Sequence, residues 1–165
     1  MVYDYEFLKR IAQRFNENDE NIAVAESVTA GLLQNAFSQM PDASTFFEGG
    51  MTAYTPEIKI KLLKIDPEEA ERENCVSEAI AEAMAENLKI IFSTNWSIAI
   101  TGYATPVPES NHQLFAYYCI LYNENTLSSK RIELPDSLNP TEAQQQYVYE
   151  ILKDLENQLN LQFKK

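Results

Sequence analysis

Three residue types suited to amide hydrolysis lie close together between residues 21 and 64. Ser27 follows a short apolar run at 22–25, and Tyr54 and Lys59 flank the start of a later predicted helix. A serine hydroxyl becomes a nucleophile when a neighbouring base takes its proton, and a lysine with a lowered pKa can be that base. Spacing alone favours an ordinary interpretation, in which the Lys59 stem lies along the Tyr54 ring and its ammonium stays in water.

The position of Ser27 depends on how the next helix begins. Either Ser27 or Thr29 can cap a helix over 30–39, because a hydroxyl accepts from the first free amides. Either cap would place Ser27 beside amides that favour a negative charge, such as a phosphate, a carboxylate or a developing oxyanion. A serine in front of a helix is more often a cap than a nucleophile.

The start of the lysine-bearing helix is better defined. Thr55, Pro56 and Glu57 combine an N-cap residue, a proline at the first helical position and an acid in the first turn. With Thr55 as N-cap, Tyr54 precedes the cap and Lys59 occupies the fourth helical position. Residues at these two positions touch in a hydrophobic staple, so we expect Tyr54 and Lys59 to be neighbours.

The few glycines mark junctions between strands and turns. The chain has four, at Gly31, Gly49, Gly50 and Gly102, and α/β proteins build their sites at such junctions. Amphipathic helices are predicted over 3–18, from Ser77 and from Pro140, and strands over 22–25, 51–54, 96–101, 114–122 and 129–134. We expect one α/β domain over 1–165, a three-layer α/β/α sandwich whose mixed sheet is mostly parallel and has a hairpin late in the chain.

Composition excludes several classes of partner. A net charge of −12 repels nucleic acid phosphates, and no apolar run reaches the length of a membrane span. A cytoplasmic location is the default expectation. Cys75 and Cys119 are isolated and are predicted to be reduced thiols in or near the core, and the one histidine, His112, is predicted to lie on the surface. We therefore expect no metal site and no cofactor.

Four segments together resemble the C-terminal domain of the competence/damage-inducible CinA proteins. Residues 25–32 (AESVTAGL) are similar to the family signature AESCTGG-L, and 49–59 (GGMTAYTPEIK) to its GG-x-x-x-Y-S-N-E-x-K segment. The helix from Val76 resembles VSE-x-x-A-x-x-MA, and 99–104 (AITGYA) resembles A-V-T-G-I-A. The segments occur in the family's order, which makes the resemblance specific.

The resemblance implies an activity and a set of site residues. Stand-alone members of the family include amidohydrolases that deamidate nicotinamide mononucleotide in pyridine nucleotide salvage, without a metal. By position, Ser27 would be the nucleophile, Lys59 the group that takes its proton and Tyr54 a hydrogen-bonding or proton-relay neighbour. Residues expected to bind the small-molecule substrate are Thr29, Gly31, Gly49, Gly50, Thr101 and Gly102. Family analogy also implies a homo-oligomer, with a dimer favoured.

Several departures concern the side of the site that would bind phosphate. Ala30 replaces a signature glycine, and Pro106 and Pro108 lie in the segment 105–108, where the family has a glycine-rich loop. Phe115 stands where a small residue is expected and would occupy substrate space, and 135–146 lacks the expected arginines. Each lost charged contact costs about 1.5–3 kcal/mol. Two hypotheses follow: a divergent amidohydrolase acting on the mononucleotide or a smaller, less charged amide, and a non-catalytic binding or interaction module.

Overall fold

The helices and strands alternate along most of the chain. The computed structural model describes residues 4–164. Its main elements are α1 (Tyr5–Asn18), β1 (Ile22–Glu26), α2 (Leu32–Ser38), β2 (Phe47–Thr52), α3 (Pro56–Leu63), α4 (Pro67–Arg72), α5 (Glu78–Phe92), β3 (Trp96–Gly102), β4 (Leu114–Tyr122), β5 (Asn125–Leu134) and α6 (Pro140–Gln162).

The five strands form one mixed sheet in the order β2-β1-β3-β4-β5. β1 pairs in parallel with β2 and β3, whereas β4 is antiparallel to both β3 and β5. Four strands therefore point in one direction and β4 in the other, and the predicted late hairpin is the β4–β5 pair. The carboxyl ends of β1, β2 and β3 share one edge, where open α/β sheets form binding crevices.

Helices cover both faces of the sheet, which confirms the predicted three-layer α/β/α sandwich. Alternate side chains of a strand point to opposite faces. In β1, Ile22 and Val24 join the core that includes α1, α2 and α6, and Ala23 and Ala25 join the core that includes α3, α4 and α5. This alternation decides which helices each residue at the end of β1 approaches.

Two predicted helix starts are confirmed by their capping hydrogen bonds. The Thr55 hydroxyl accepts from the Ile58 amide at 3.4 Å, and Pro56 is the first residue of α3. The Ser77 hydroxyl accepts from the Ile80 amide at 3.2 Å at the start of α5. These caps form within three residues of sequence, so they depend little on the rest of the fold.

Some element boundaries differ from the predicted ones. β2 begins at Phe47, before the predicted start at residue 51, so both of its glycines lie within the strand. β5 begins at Asn125 rather than residue 129, because Asn125 already pairs with Tyr122 of β4 across the tight hairpin turn. The predicted first helix included Tyr3, which lies outside the described residues.

Asp154 of α6 joins that helix to the sheet. Its carboxylate accepts from Tyr118 at 2.7 Å, Lys130 at 3.0 Å, Gln158 at 3.1 Å and the Ser128 hydroxyl. Burial alone would raise the pKa of Asp154, but these hydrogen bonds outweigh it and the pKa lies below its usual value. Within residues 4–164, none of the helices combines the length and hydrophobicity that a membrane span requires.

Candidate active site

Glu26, the last residue of β1, caps helix α2 with its side chain. It is fully buried, and its two carboxylate oxygens accept from the amides of Gly31 at 3.1 Å, Leu33 at 2.9 Å and Gln34 at 2.7 Å. The predicted cap at Ser27 or Thr29 is therefore wrong. Helix α2 begins at Leu32 rather than at residue 30, and its first amides are paired with a carboxylate that the chain itself supplies.

Ser27 lies one residue beyond the strand, in a turn. Its amide donates to the Ile100 carbonyl at 3.1 Å, and its own carbonyl accepts from the Ala30 amide at 3.1 Å. The turn puts Ala30 at a φ of 51°, a conformation that glycine adopts at less cost. Because Glu26 faces α2, alternation directs Ser27 towards the layer that contains α3.

Lys59 of α3 is buried, with 3% of its surface exposed. Its Nζ donates to the Tyr54 backbone carbonyl at 3.2 Å. Burial lowers the pKa of Lys59, and interactions with Cys75 and Glu57 only partly oppose that shift. A lowered pKa increases the fraction of neutral amine near neutral pH, and only the neutral amine can accept a proton.

Tyr54 is adjacent to Lys59, as the register of α3 predicted. The contact uses the Tyr54 carbonyl rather than its phenol, and the residue is 65% exposed. Tyr54 thus holds the lysine amine with its backbone and leaves its ring at the mouth of the site.

Ser27, Tyr54 and Lys59 line one cavity of about 480 Å³ at the carboxyl ends of the parallel strands. Thr101 and Gly102, at the end of β3, line it as well. The remaining wall residues are Val28, Pro56, Asn74, Cys75, Val76, Tyr103, Ala104, Thr105 and Val107. Among residues 4–164, no hydrogen bond joins the Ser27 hydroxyl to Lys59.

The other four residues predicted to bind substrate lie away from the lining of this cavity. Thr29 is buried and its hydroxyl has no hydrogen-bond partner within the described chain. The Gly31 amide donates to Glu26. Gly49 and Gly50 lie in β2, where a Cβ on Gly50 would approach the Val24 carbonyl to 2.6 Å. The close packing of Gly50 gives it a structural role in the sheet.

Phe115 does not line the cavity, contrary to the expectation that its ring would occupy substrate space. The ring packs edge-on against Tyr103, with centroids 5.3 Å apart, and the Arg131 guanidinium lies 4.0 Å from its centroid. Phe115 therefore supports the wall formed by Tyr103 from behind.

Cys75, predicted only as a reduced thiol in or near the core, is a residue of the cavity wall. It is 1% exposed and has a φ of 56°. Burial raises the pKa of its thiol, and the nearby Lys59 opposes that shift. The carbonyl of Cys75 accepts from the Thr101 hydroxyl at 2.7 Å, which joins the segment between α4 and α5 to β3. No spacing motif involves Cys75, so only the fold reveals its position.

Two residues of α6 hold the cavity wall in place and were also missed. Gln144 donates to the Val28 carbonyl at 2.9 Å, next to the serine. The Tyr147 hydroxyl donates to the Tyr103 carbonyl at 2.8 Å. These hydrogen bonds span more than forty residues of sequence, and no local pattern predicts them.

A larger groove of about 930 Å³ lies between β5 and α6, on the other face of the sheet. The most buried charged residue of this groove, Asp154, accepts the four hydrogen bonds described above. None of the predicted site residues lines the groove. Among residues 4–164, no three His, Cys, Asp or Glu side chains group closely enough to hold a metal ion.

Comparison with protein families assigns nearly the whole chain to one domain type. The family model described as the CinA C-terminal domain matches residues 4–159. A CinA-like protein from Thermosynechococcus vestitus is 43% identical over 96 residues, and one from a Synechocystis species is 50% identical over 90 residues. These alignments cover 58% and 54% of this chain but only 23% and 22% of the relatives.

Solved structures show the same fold over the full length of the domain. A CinA superfamily protein from Klebsiella pneumoniae superposes with a TM-score of 0.87 at 22% identity, covering 94% of this chain and 96% of the other. A competence or damage-inducible protein from Enterobacter asburiae gives 0.87 at 25% identity, with 93% and 96% covered.

Proposed function

The chain belongs to the CinA C-terminal domain family, and from this premise we propose that it is a metal-independent amidohydrolase. Its substrate is nicotinamide mononucleotide or a related small carboxamide, and Ser27, Lys59 and Tyr54 carry the reaction. One observation supports this proposal most directly: a serine and a buried lysine of lowered pKa line the same cavity. Ser27 lies at the end of β1 and Lys59 on α3, thirty-two positions later in the sequence, so only the fold brings them to one cavity.

In the first step, the Ser27 hydroxyl attacks the carboxamide carbon. The neutral Lys59 amine takes the hydroxyl proton as the new C–O bond forms, and the carbonyl π electrons move to its oxygen. The Tyr54 carbonyl holds one N–H of this amine at 3.2 Å. That hydrogen bond orients the amine while leaving its lone pair free for the serine proton.

The tetrahedral intermediate then expels ammonia. The Lys59 ammonium returns its proton to the leaving nitrogen, the C–N bond breaks and an acyl ester remains on Ser27. Water attacks this ester with Lys59 again taking a proton, and the ammonium then protonates the Ser27 oxygen as it leaves. The net reaction converts a carboxamide and water into a carboxylic acid and ammonia.

The developing oxyanion needs hydrogen-bond donors near the serine. The Val28 amide directly follows Ser27 and donates no hydrogen bond within residues 4–164. In α/β-hydrolases, the amide of the residue after the nucleophilic serine is one of the oxyanion donors. Gln144 fixes the Val28 peptide through its carbonyl, and the Tyr54 phenol at the cavity mouth is the proposed proton-relay group.

The test is ammonia release from nicotinamide mononucleotide and from smaller carboxamides, with product identified by chromatography. Ser27→Ala and Lys59→Met are each expected to lower kcat/KM about a thousandfold or more. Ser44→Ala and Lys61→Met are the matched controls, since both positions are exposed and Lys61 lies on the same helix. These controls should retain wild-type turnover.

Two results would contradict the proposal. Turnover that survives both Ser27→Ala and Lys59→Met would assign the activity to other residues or to a contaminant. Absence of turnover with every carboxamide, from protein shown to be folded, would favour the alternative of a binding or interaction module.

A further inference from the structure

We propose that the cavity selects carboxamides that carry no phosphate, with the amide attached to a flat aromatic ring. This inference rests on the proposed function and specifies its substrate class. It separates two substrates that share the same reacting amide, nicotinamide riboside and its 5′-phosphate, nicotinamide mononucleotide. Three features of the cavity and its surroundings carry it.

The first feature is the shortage of positive charge. Among the described residues that line the cavity, Lys59 is the one Lys, Arg or His side chain. The proposed mechanism requires this amine to be neutral when Ser27 attacks. A phosphate dianion held close to it would favour the ammonium form and raise the pKa of Lys59. The same group cannot both neutralise a phosphate and act as the base.

The second feature concerns two places near the cavity where backbone N–H groups are used or absent: the start of α2 and the loop at 105–108. Helix N-termini commonly bind phosphate, but at the start of α2 the amides of Gly31, Leu33 and Gln34 donate to the buried carboxylate of Glu26, and the Leu32 amide donates to the Thr29 carbonyl. Pro106 and Pro108 lack a backbone N–H, and the Val107 amide between them donates to the Ser110 hydroxyl at 3.4 Å. The loop at 105–108 therefore offers a phosphate few backbone donors, and the start of α2 has no amides free to bind one.

The third feature is the chemistry of the walls. Tyr54 and Tyr103 contribute aromatic rings, and Val28 and Val76 contribute aliphatic side chains. Such walls suit a flat heteroaromatic ring, and tyrosine faces also attract a pyridinium cation. The Tyr103 ring is held in place because its hydroxyl accepts from Asn74 at 2.9 Å. The net charge of −12 further disfavours approach of a dianion.

The decisive experiment compares kcat/KM for nicotinamide riboside and nicotinamide mononucleotide on the intact chain. We expect the riboside to be preferred by about tenfold or more, which is the cost of one unmatched charged contact. Millimolar inorganic phosphate should leave turnover of the riboside unchanged. Equal rates, or a preference for the mononucleotide, would overturn the inference while leaving the amidohydrolase assignment intact.

A gain-of-charge variant provides a second readout. Thr105 is exposed and lines the cavity, so Thr105→Arg should improve the mononucleotide-to-riboside ratio of kcat/KM about tenfold, while Thr105→Gln should not. If neither compound releases ammonia, binding of both to Ser27→Ala is measured by calorimetry. Preferential binding of the riboside would support the selectivity although the proposed hydrolysis had failed, and binding of the mononucleotide or of neither would overturn the selectivity.

Discussion

Replacing Glu26 with glutamine tests the unexpected cap of helix α2. The carboxylate is fully buried and accepts three backbone hydrogen bonds. In Glu26→Gln, the side-chain amide must point an N–H at one backbone N–H, which removes at least that bond. The other bonds lose their charge assistance.

The expected loss of stability follows from the number of hydrogen bonds to Glu26 that are lost or weakened. One charge-assisted bond contributes about 1.5–3 kcal/mol and a neutral bond about 1 kcal/mol, so loss of one bond and of the charge assistance of the other two sums to about 2.5–7 kcal/mol. The neutral side chain also avoids the cost of burying a charge, which moves the estimate to the lower end, about 3 kcal/mol. That is a large fraction of the 5–15 kcal/mol by which domains are usually stable.

The assay is urea unfolding at pH 7, with free energies of unfolding obtained by linear extrapolation. The control is Glu48→Gln, an exposed glutamate in β2 that removes the same formal charge and should change stability by less than about 0.5 kcal/mol. If Glu26→Gln is within about 1 kcal/mol of this control, the cap does not hold the helix as described. Faster hydrogen exchange confined to α2 would support it.

The remaining predictions concern burial, charge and packing. Lys59→Met should raise the melting temperature at pH 7 and abolish activity, because a lowered pKa means that the protonated amine costs stability below that pKa. This gain should shrink as the pH rises towards 10.5, the usual lysine value. Asp154→Asn should destabilise the protein at neutral pH, and this effect should shrink as the pH falls below the usual aspartate pKa of 3.8 and vanish below the lowered pKa of the folded state, because a carboxylate of lowered pKa stabilises the fold only while it is ionised. Gly102→Ala should cost about 1–3 kcal/mol, because a Cβ there would lie 2.5 Å from neighbouring backbone atoms of β4. The thiols of Cys75 and Cys119 should react slowly with thiol reagents in native protein, because burial raises both pKa values, that of Cys119 to about 12.

These four predictions have distinct contradicting results. A lower melting temperature for Lys59→Met at every pH would mean that its packing and hydrogen bond outweigh its desolvation. A pH-independent effect of Asp154→Asn would separate its role from ionisation. Wild-type stability of Gly102→Ala would show that β3 and β4 can separate at no cost. Rapid native labelling of both cysteines, at the rate seen in denaturant, would contradict their burial.

Local interactions made part of the site predictable. Thr55, Pro56 and Glu57 fix the start of α3 within one turn, and this register alone places Lys59 beside Tyr54. The amphipathic helices and the buried strands follow from periodicity, and the late hairpin follows from the polar turn at 123–125. The motif order further identified the family and drew attention to Ser27.

The sequence by itself determined which residues could react, and the tertiary structure decided which of them meet. Ser27 and Lys59 share a cavity because β1 lies beside β2 and β3 and because alternation turns Glu26 and Ser27 to opposite faces. The same alternation directs Glu26 to α2, where it forms a cap that no capping rule predicts. Gly50 lies within β2 and therefore belongs to the sheet rather than to the cavity wall. Contacts within one helical turn are fixed by backbone geometry, whereas contacts between distant segments depend on strand order and on the side-chain direction at each strand's end, which the whole packed core decides.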